Sequence, residues 1–328
     1  MTDTAILARF PGLSALVIGD ICLDRWCVYD PDLAEPSRET GIPRIAVTSL
    51  DVTPGAGGTV ANNLAALGCG HVGVLGAVGD DGFGYELRAA LSARGIDASL
   101  LLAVPGAQTF TYTKLLNSKT GEEDKPRVDY VNIRSFGEDA QREIVRRLKE
   151  AAGRFDLFLV SDQAETDTGG VVTPAVREAL AELASLWPSK VIWVDSRLRP
   201  ELFRSVVVKP NEREAREACE RLFGRLDIGG LRRAIGTRPL IVTGGSEGAA
   251  VWNEGGCTIV PARRVGKPVD ICGAGDSFSA GAALTLAVTG DAVAAARFGN
   301  LVASITIMKK GTGIASPDEV LAAGRALP

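Results

Sequence analysis

Apolar residues along the chain fall into two kinds of run. Short, nearly continuous ones read as strands buried on both faces: SALVIGD (14–20), HVGVLGAVG (71–79), FDLFLVSD (155–162), KVIWVD (190–195), SVVVKPN (205–211) and PLIVTGG (239–245). Between them lie stretches with helical spacing: TVANNLAALG (59–68), GFGYELRAALSARG (82–95), EDAQREIVRRLKEAAG (138–153), PAVREALAELASLW (174–187) and EREAREACERL (212–222). Gly68 and Gly95 supply stops. This alternation predicts an α/β fold with a mostly parallel central sheet flanked by helices, its functional residues at the C-terminal ends of the strands.

Three segments break the rhythm. IPRIAVTSLDV (42–52), TFTYTKLL (109–116) and RVDYVNIR (127–134) are β-rich with partly alternating polarity. They predict a small second sheet, solvated on one face and inserted around the main body. A lid or dimer contact and simple edge strands are both open readings. The polar stretch NSKTGEEDKP (117–126) predicts a mobile hairpin connection. The expectation is a single domain over residues 1–328, with lid segments around 22–52 and 105–135.

The stretch DICGAGDSFSAG (270–281) places an acid directly behind a flexible turn. Phe278, Ala282 and Leu286 follow at helical spacing and Gly290 supplies a stop, so Asp276 falls in a first helical turn. Unpaired N–H groups and partial positive charge at such a start suit an anion, and glycines let a phosphate approach the backbone. Asp276 is then either a capping acid worth roughly 1 kcal/mol, or a base for a hydroxyl that attacks a phosphoryl group held by the amides of Gly273, Ala274 and Gly275.

Composition narrows the setting. The chain has 328 residues, 46% of them hydrophobic and 23% charged, as expected of a globular protein that buries one large core. A net charge of -4 and a pI near 5.3 provide no broad basic surface for nucleic acid or an anionic membrane. MTDTAILARFPGL (1–13) shows no signal-peptide pattern and no apolar run reaches membrane-spanning length, so a cytoplasmic location is expected. Cysteines 22, 27, 69, 219, 257 and 272 are scattered and read as free thiols. His71 is the single histidine, read as structural, which excludes His-rich metal sites.

PGAGGTVANNLAALG (54–68), GAVGDDGFG (76–84) and the D-x-x-G-A-G-D run of Asp270, Gly273, Ala274, Gly275 and Asp276, in that order, resemble the ribokinase-like (PfkB) family of carbohydrate kinases. The resemblance covers essentially the whole chain. It implies a ribokinase-like fold with a small β-sheet lid, ATP as phosphoryl donor, Asp276 as catalytic base and residues 273–276 as the anion hole. It further implies that Asp24, in GDICLDR, binds sugar hydroxyls, which a carboxylate suits because it accepts two hydroxyl hydrogens at once. Gly57, Gly58 and Asn62 match positions set against the sugar.

In VKPNEREA, Asn211 and Glu214 match an N-x-x-E pattern that organises Mg²⁺ indirectly; VTGGSEGA (242–249) matches a nucleotide loop with Thr243, Gly245 and Gly248; Asn300 matches an adenine-pocket position. Some members also bind a monovalent cation such as K⁺, for which Asp270 is the candidate, with carbonyls near Cys272 and Gly311. Ile271 and Cys272 depart from the threonines frequent there, a change that leaves the backbone amides in place; Cys272 is read as packing.

VIGDICLDRW (17–26) followed by EPSRETGIPRIAV (35–47) is most similar to the heptose 7-phosphate kinases within that family. This points to D-glycero-D-manno-heptose 7-phosphate, with Arg25, Arg38, Arg44 and Lys114 as candidate phosphate partners. Ribose, fructose, 2-keto-3-deoxygluconate and nucleosides stay open as substrates. Many such kinases are fused to a nucleotidyltransferase, whereas SPDEVLAAGRALP (316–328) ends this chain, so a stand-alone kinase, homodimeric through the lid, is expected. A dinucleotide-dependent oxidoreductase would need G-x-G-x-x-G after the first strand, where GDICLDR stands. A non-catalytic sugar sensor is disfavoured by Asp276, the intact GAG turn and the Asn211/Glu214 pair.

Overall fold

In the computed structural model, which describes residues 1–163 and 169–325, the buried apolar runs lie side by side in one eight-stranded sheet. Its order is Gly256–Val260, Ala249–Asn253, Leu240–Thr243, Val207–Val208, Val191–Ser196, Leu157–Asp162, Ser14–Gly19, His71–Leu75. All neighbours from Leu240–Thr243 to His71–Leu75 run parallel, and the last two strands of the chain add an antiparallel edge. The expected α/β class and mostly parallel sheet are therefore present.

Alternation within each strand fills two cores. Val17, Val74, Leu159, Trp193 and Ile241 pack on one face with Phe278, Ala282 and Leu286 from the Ala274–Thr289 helix. Leu16, Ile18, Phe158, Val160 and Val194 pack on the other with Ile144, Leu180 and Ala215 from three further helices. The chain leaves Ser14–Gly19 toward His71–Leu75 and later returns on its other side through Leu157–Asp162. Such a reversal opens a crevice beyond the C-terminal ends of the strands.

A separate four-stranded sheet has the order Val47–Ala56, Ile21–Tyr29, Thr111–Asn117, Val128–Tyr130. Residues 117–126 form the hairpin connection between its last two strands. The details differ from the sequence reading in three places. Ile21–Tyr29, inside the expected 22–52 lid segment but not among the three β-rich runs, is a central strand. Residues 42–46 lie outside the strand that begins at Val47. HVGVLGAVG divides at Gly76, where a Cβ would stand 2.4 Å from the Gly19 carbonyl oxygen, and Ala77–Gly79 pairs with Leu102–Val104.

His71 stacks on Phe155 and lies 3.8 Å from Asp97, which fits a structural residue. All six cysteines are free. No helix among the described residues is long and apolar enough to cross a membrane.

Candidate active site

Two surfaces face one another across the crevice. On the small sheet, Asp24 pairs in register with Tyr112 and Trp26 with Lys114. Positions two apart share a face, so these four side chains project together. Opposite them the Ala274–Thr289 helix begins at Gly273, in the left-handed conformation (φ 76°, ψ 6°). The cleft between them has a volume of ≈ 160 Å³ and is completed by Ala56, Thr59, Arg127, Gln163, Arg197, Cys272, Thr312 and Arg25.

Asp276 stands in the first turn of this helix, three residues past its Gly273 cap. Burial pushes its carboxyl up to about 7, helped by the charges of Asp195 and Asp24 and opposed by Lys209 and Arg197. Asp24 is raised to about 6, again mainly by burial, with Lys114 and Arg127 pulling down and Asp129 pushing up. Ala274 closes the turn by donating its amide to the Ile271 carbonyl at 3.2 Å. The helix start leaves the amides of Gly275 and Asp276 for an anion.

Gly57, Gly58 and Asn62 are not brought to the cleft wall. A side chain at Gly57 would collide with Ile21, and one at Gly58 with Pro54, so both glycines permit close packing behind the wall. Ala56 and Thr59 line it instead. Ala56 holds φ 49° and ψ -119°, a backbone region essentially reserved for glycine. Gly55 makes room for the Asp24 carboxylate, whose nearest oxygen lies 2.4 Å from where a Cβ would stand.

The residues matched to a nucleotide gather around the end of Leu240–Thr243. Asn211 and Glu214 form a capping box: Glu214 N donates to Asn211 Oδ1 at 2.9 Å, and Asn211 N donates to Glu214 Oε2 at 2.8 Å. Asn211 bridges to Thr243. Gly245 (φ 57°) has open space around it, whereas a side chain at buried Gly248 would run into the Val260 carbonyl. Asn300 Nδ2 donates to the carbonyls of Val260 and Pro261, each at 3.1 Å. Asp270 accepts the amides of Cys272 (2.9 Å) and Gly311 (3.1 Å), tying the glycine turn to the 311 loop.

Of the four cations proposed from sequence, Arg25 and Lys114 reach the cleft. Exposed Arg44 pairs with Glu35 at 3.4 Å instead, and Arg38 does not line the cleft. Arg127, Arg197, Gln163 and Trp26 were not singled out, because their approach depends on strand register and on loops that a local motif does not describe. Lys209 and Asp195, buried beside the glycine turn, were also passed over. A lysine directly after a buried strand in VKPN was the available signal.

A parallel sheet carrying a glycine turn and acid against a second, smaller sheet is the ribokinase-like fold. The chain superposes on the ribokinase of Arabidopsis thaliana solved with ribose and ATP (TM-score 0.70, 19% identity, covering 96% of this chain and 99% of that one). It also superposes on phosphofructokinase-2 of Escherichia coli in complex with potassium (TM-score 0.69, 20% identity, 95% and 98%). Residues 15–319 match the pfkB family carbohydrate kinase model, and the chain belongs to that family. Similar curated proteins are the bifunctional protein HldE of Geobacter sulfurreducens (30% identity, 97% of this chain) and of Caulobacter vibrioides (32%, 95%). The chain spans 64% of the length of each.

Proposed function

We propose that this protein transfers the γ-phosphoryl group of ATP to a hydroxyl of a phosphorylated sugar, with a heptose 7-phosphate as the substrate class. The observation that carries this reading is the Asp276 carboxyl at the glycine-turn helix start, raised to about 7 and facing Asp24 across the cleft. Asp276 takes the hydroxyl proton, Asp24 orients the sugar, and the amides at the helix start bind the transferred phosphoryl oxygens. This reading assigns Thr243, Gly245 and Asn300 to the nucleotide, with Gly248 holding their loop through its carbonyl, which accepts the Gly244 amide.

Mg²⁺ fits this donor set only as an ion held largely by phosphates. Glu214 spends one carboxylate oxygen on the capping box, and no group of three His, Cys, Asp or Glu suited to a metal occurs among the described residues. Glu214 and Asn211 would hold its waters, and the ion would neutralise phosphate charge. A K⁺ ion at Asp270 belongs to the same reading, as does a homodimer through the small sheet, whose Val47 and Leu50 are exposed. Closure of that sheet as a lid would exclude water from the transfer.

For the substrate's own phosphate, this reading takes Lys114, a candidate from sequence, and Arg127, which lines the same cleft. Lys114 lies 4.4 Å over the Trp26 ring and 3.9 Å from Glu123, while Arg127 is paired with Asp129 at 2.6 Å. The test is ADP release from Mg·ATP across sugars, sugar phosphates and nucleosides. Turnover is expected on heptose 7-phosphate, and Lys114→Ala should raise KM for it about ten- to hundred-fold while leaving unphosphorylated sugars little changed. Turnover confined to unphosphorylated sugars discards the substrate class, and silence across the panel discards the kinase reading.

The pH dependence follows from the same carboxyl. Below its midpoint Asp276 is protonated and cannot accept the hydroxyl proton, so kcat/KM should rise with pH through about 7 and level off above it. A profile flat from pH 5 to 9, measured with saturating Mg²⁺, contradicts a base with this pKa.

A further inference from the structure

Residues 55–58, at the wall of the cleft, read Gly-Ala-Gly-Gly. Space explains each glycine. A Cβ at Gly55 would stand 2.4 Å from an Asp24 carboxylate oxygen, one at Gly57 2.7 Å from Ile21 Cδ1, and one at Gly58 2.5 Å from Pro54 Cβ. At Ala56 it is the backbone that favours glycine, and the chain carries a side chain there nonetheless.

The conformation of Ala56 is imposed from both sides. The Val47–Ala56 strand ends at this residue and the Gly57–Ala66 helix begins at the next, so a single residue makes the change of direction. Ala56 pairs with Ile21 in the small sheet, and the amide of Gly57 donates to the Asp20 carbonyl at 2.9 Å. The resulting φ of 49° and ψ of -119° lie close to the first central position of a type II′ turn, where glycine is the usual residue. An alanine held there stores strain that glycine would relieve, and strain of this kind gathers at binding sites. Ala56 is half-buried, lines the cleft, and follows directly on the glycine against which the Asp24 carboxylate rests.

We propose that Ala56 is a specificity-determining residue: its methyl group, held beside Asp24 by a strained backbone, narrows the sugar pocket and selects among the sugars that Asp24 binds. This rests on the reading of Asp24 as the sugar-binding acid. One methyl group suffices for such a role, because a single carbon in a fitted pocket changes discrimination about ten-fold or more. The strain and the selectivity come from the same atom, so removing it should improve stability and worsen selection together. A residue that merely closes the turn would not couple the two.

The experiment is Ala56→Gly, compared with wild type by thermal melting and by ADP release from Mg·ATP across the panel of sugars and sugar phosphates. The Tm should rise by about 1–4 °C as the strain is relieved. Discrimination between the best substrate and the next-best sugar should narrow about five- to twenty-fold, with KM for ATP within about two-fold of wild type. A Tm that does not rise overturns the strain on which the proposal stands. A higher Tm with the ranking and ratios of sugars unchanged overturns the selective role. If wild type turns over no member of the panel, the kinase reading is what fails, and the inference is then read from calorimetric titration of the same sugars into both proteins. Relative affinities that are the same in the two, or no binding by either, overturn it.

Discussion

Asp276→Asn should lower kcat by about 10²–10⁴-fold while nucleotide binding and folding persist. The amide has the shape of the carboxylate but cannot accept a proton from the attacking hydroxyl. The helix start and its amides remain, because the cap residue is Gly273 and the substitution leaves its backbone in place. Folding should not suffer either. Burial and the Asp195 charge oppose ionisation of Asp276, so a neutral side chain relieves an unfavourable charge. ADP release gives kcat, calorimetry gives ADP binding, and thermal melting checks the fold. Near-normal turnover in this variant would remove Asp276 from the role of base and leave the cleft as a binding site.

The largest effect on stability is expected from Asp162→Ala. Asp162 is buried at the end of the Leu157–Asp162 strand and accepts hydrogen bonds from Ser196 Oγ at 2.7 Å and from Arg199 at 2.8 and 3.1 Å. Its removal leaves a mostly buried guanidinium without this carboxylate, a change worth about 3–5 kcal/mol. At roughly 2.1 cal/mol/K per residue, a chain of this length should lose about 4–7 °C in Tm. The next residues along, Gln163 and Arg197, line the cleft, so activity should fall together with stability. A Tm within about 1 °C of wild type would show that these strand ends are held by other contacts.

The two parts of the candidate site were legible to different degrees, for a physical reason. Asp276 and its glycine turn form a local device: the helix start supplies the amides and the acid follows in the first turn, so a dozen residues pose the choice between capping acid and base, and the resemblance along the rest of the chain selects the base. Asp24 was accessible only through the family resemblance, as the acid matched after the first strand. The glycine-rich helix start is less legible. Its glycines respond to packing on Ile21 and Pro54, which no local pattern displays, and the cleft receives Ala56 and Thr59 instead. The N-x-x-E pair was found, and its spacing is also that of the capping box the structure shows.

Taken by itself, the sequence determined the α/β class, the family, the acid behind the turn and the presence of a second, smaller sheet, because each is encoded in periodicity or in neighbouring residues. Only the tertiary structure decided which cations enter the cleft. Lys114 comes beside Trp26 through the pairing of strands nearly ninety residues apart, and Lys209 meets Asp195 through a parallel pairing across a crossover. Their charges interact because register and burial bring them within a few ångströms, out of the reach of solvent screening, and neither quantity is written in any one stretch of the chain.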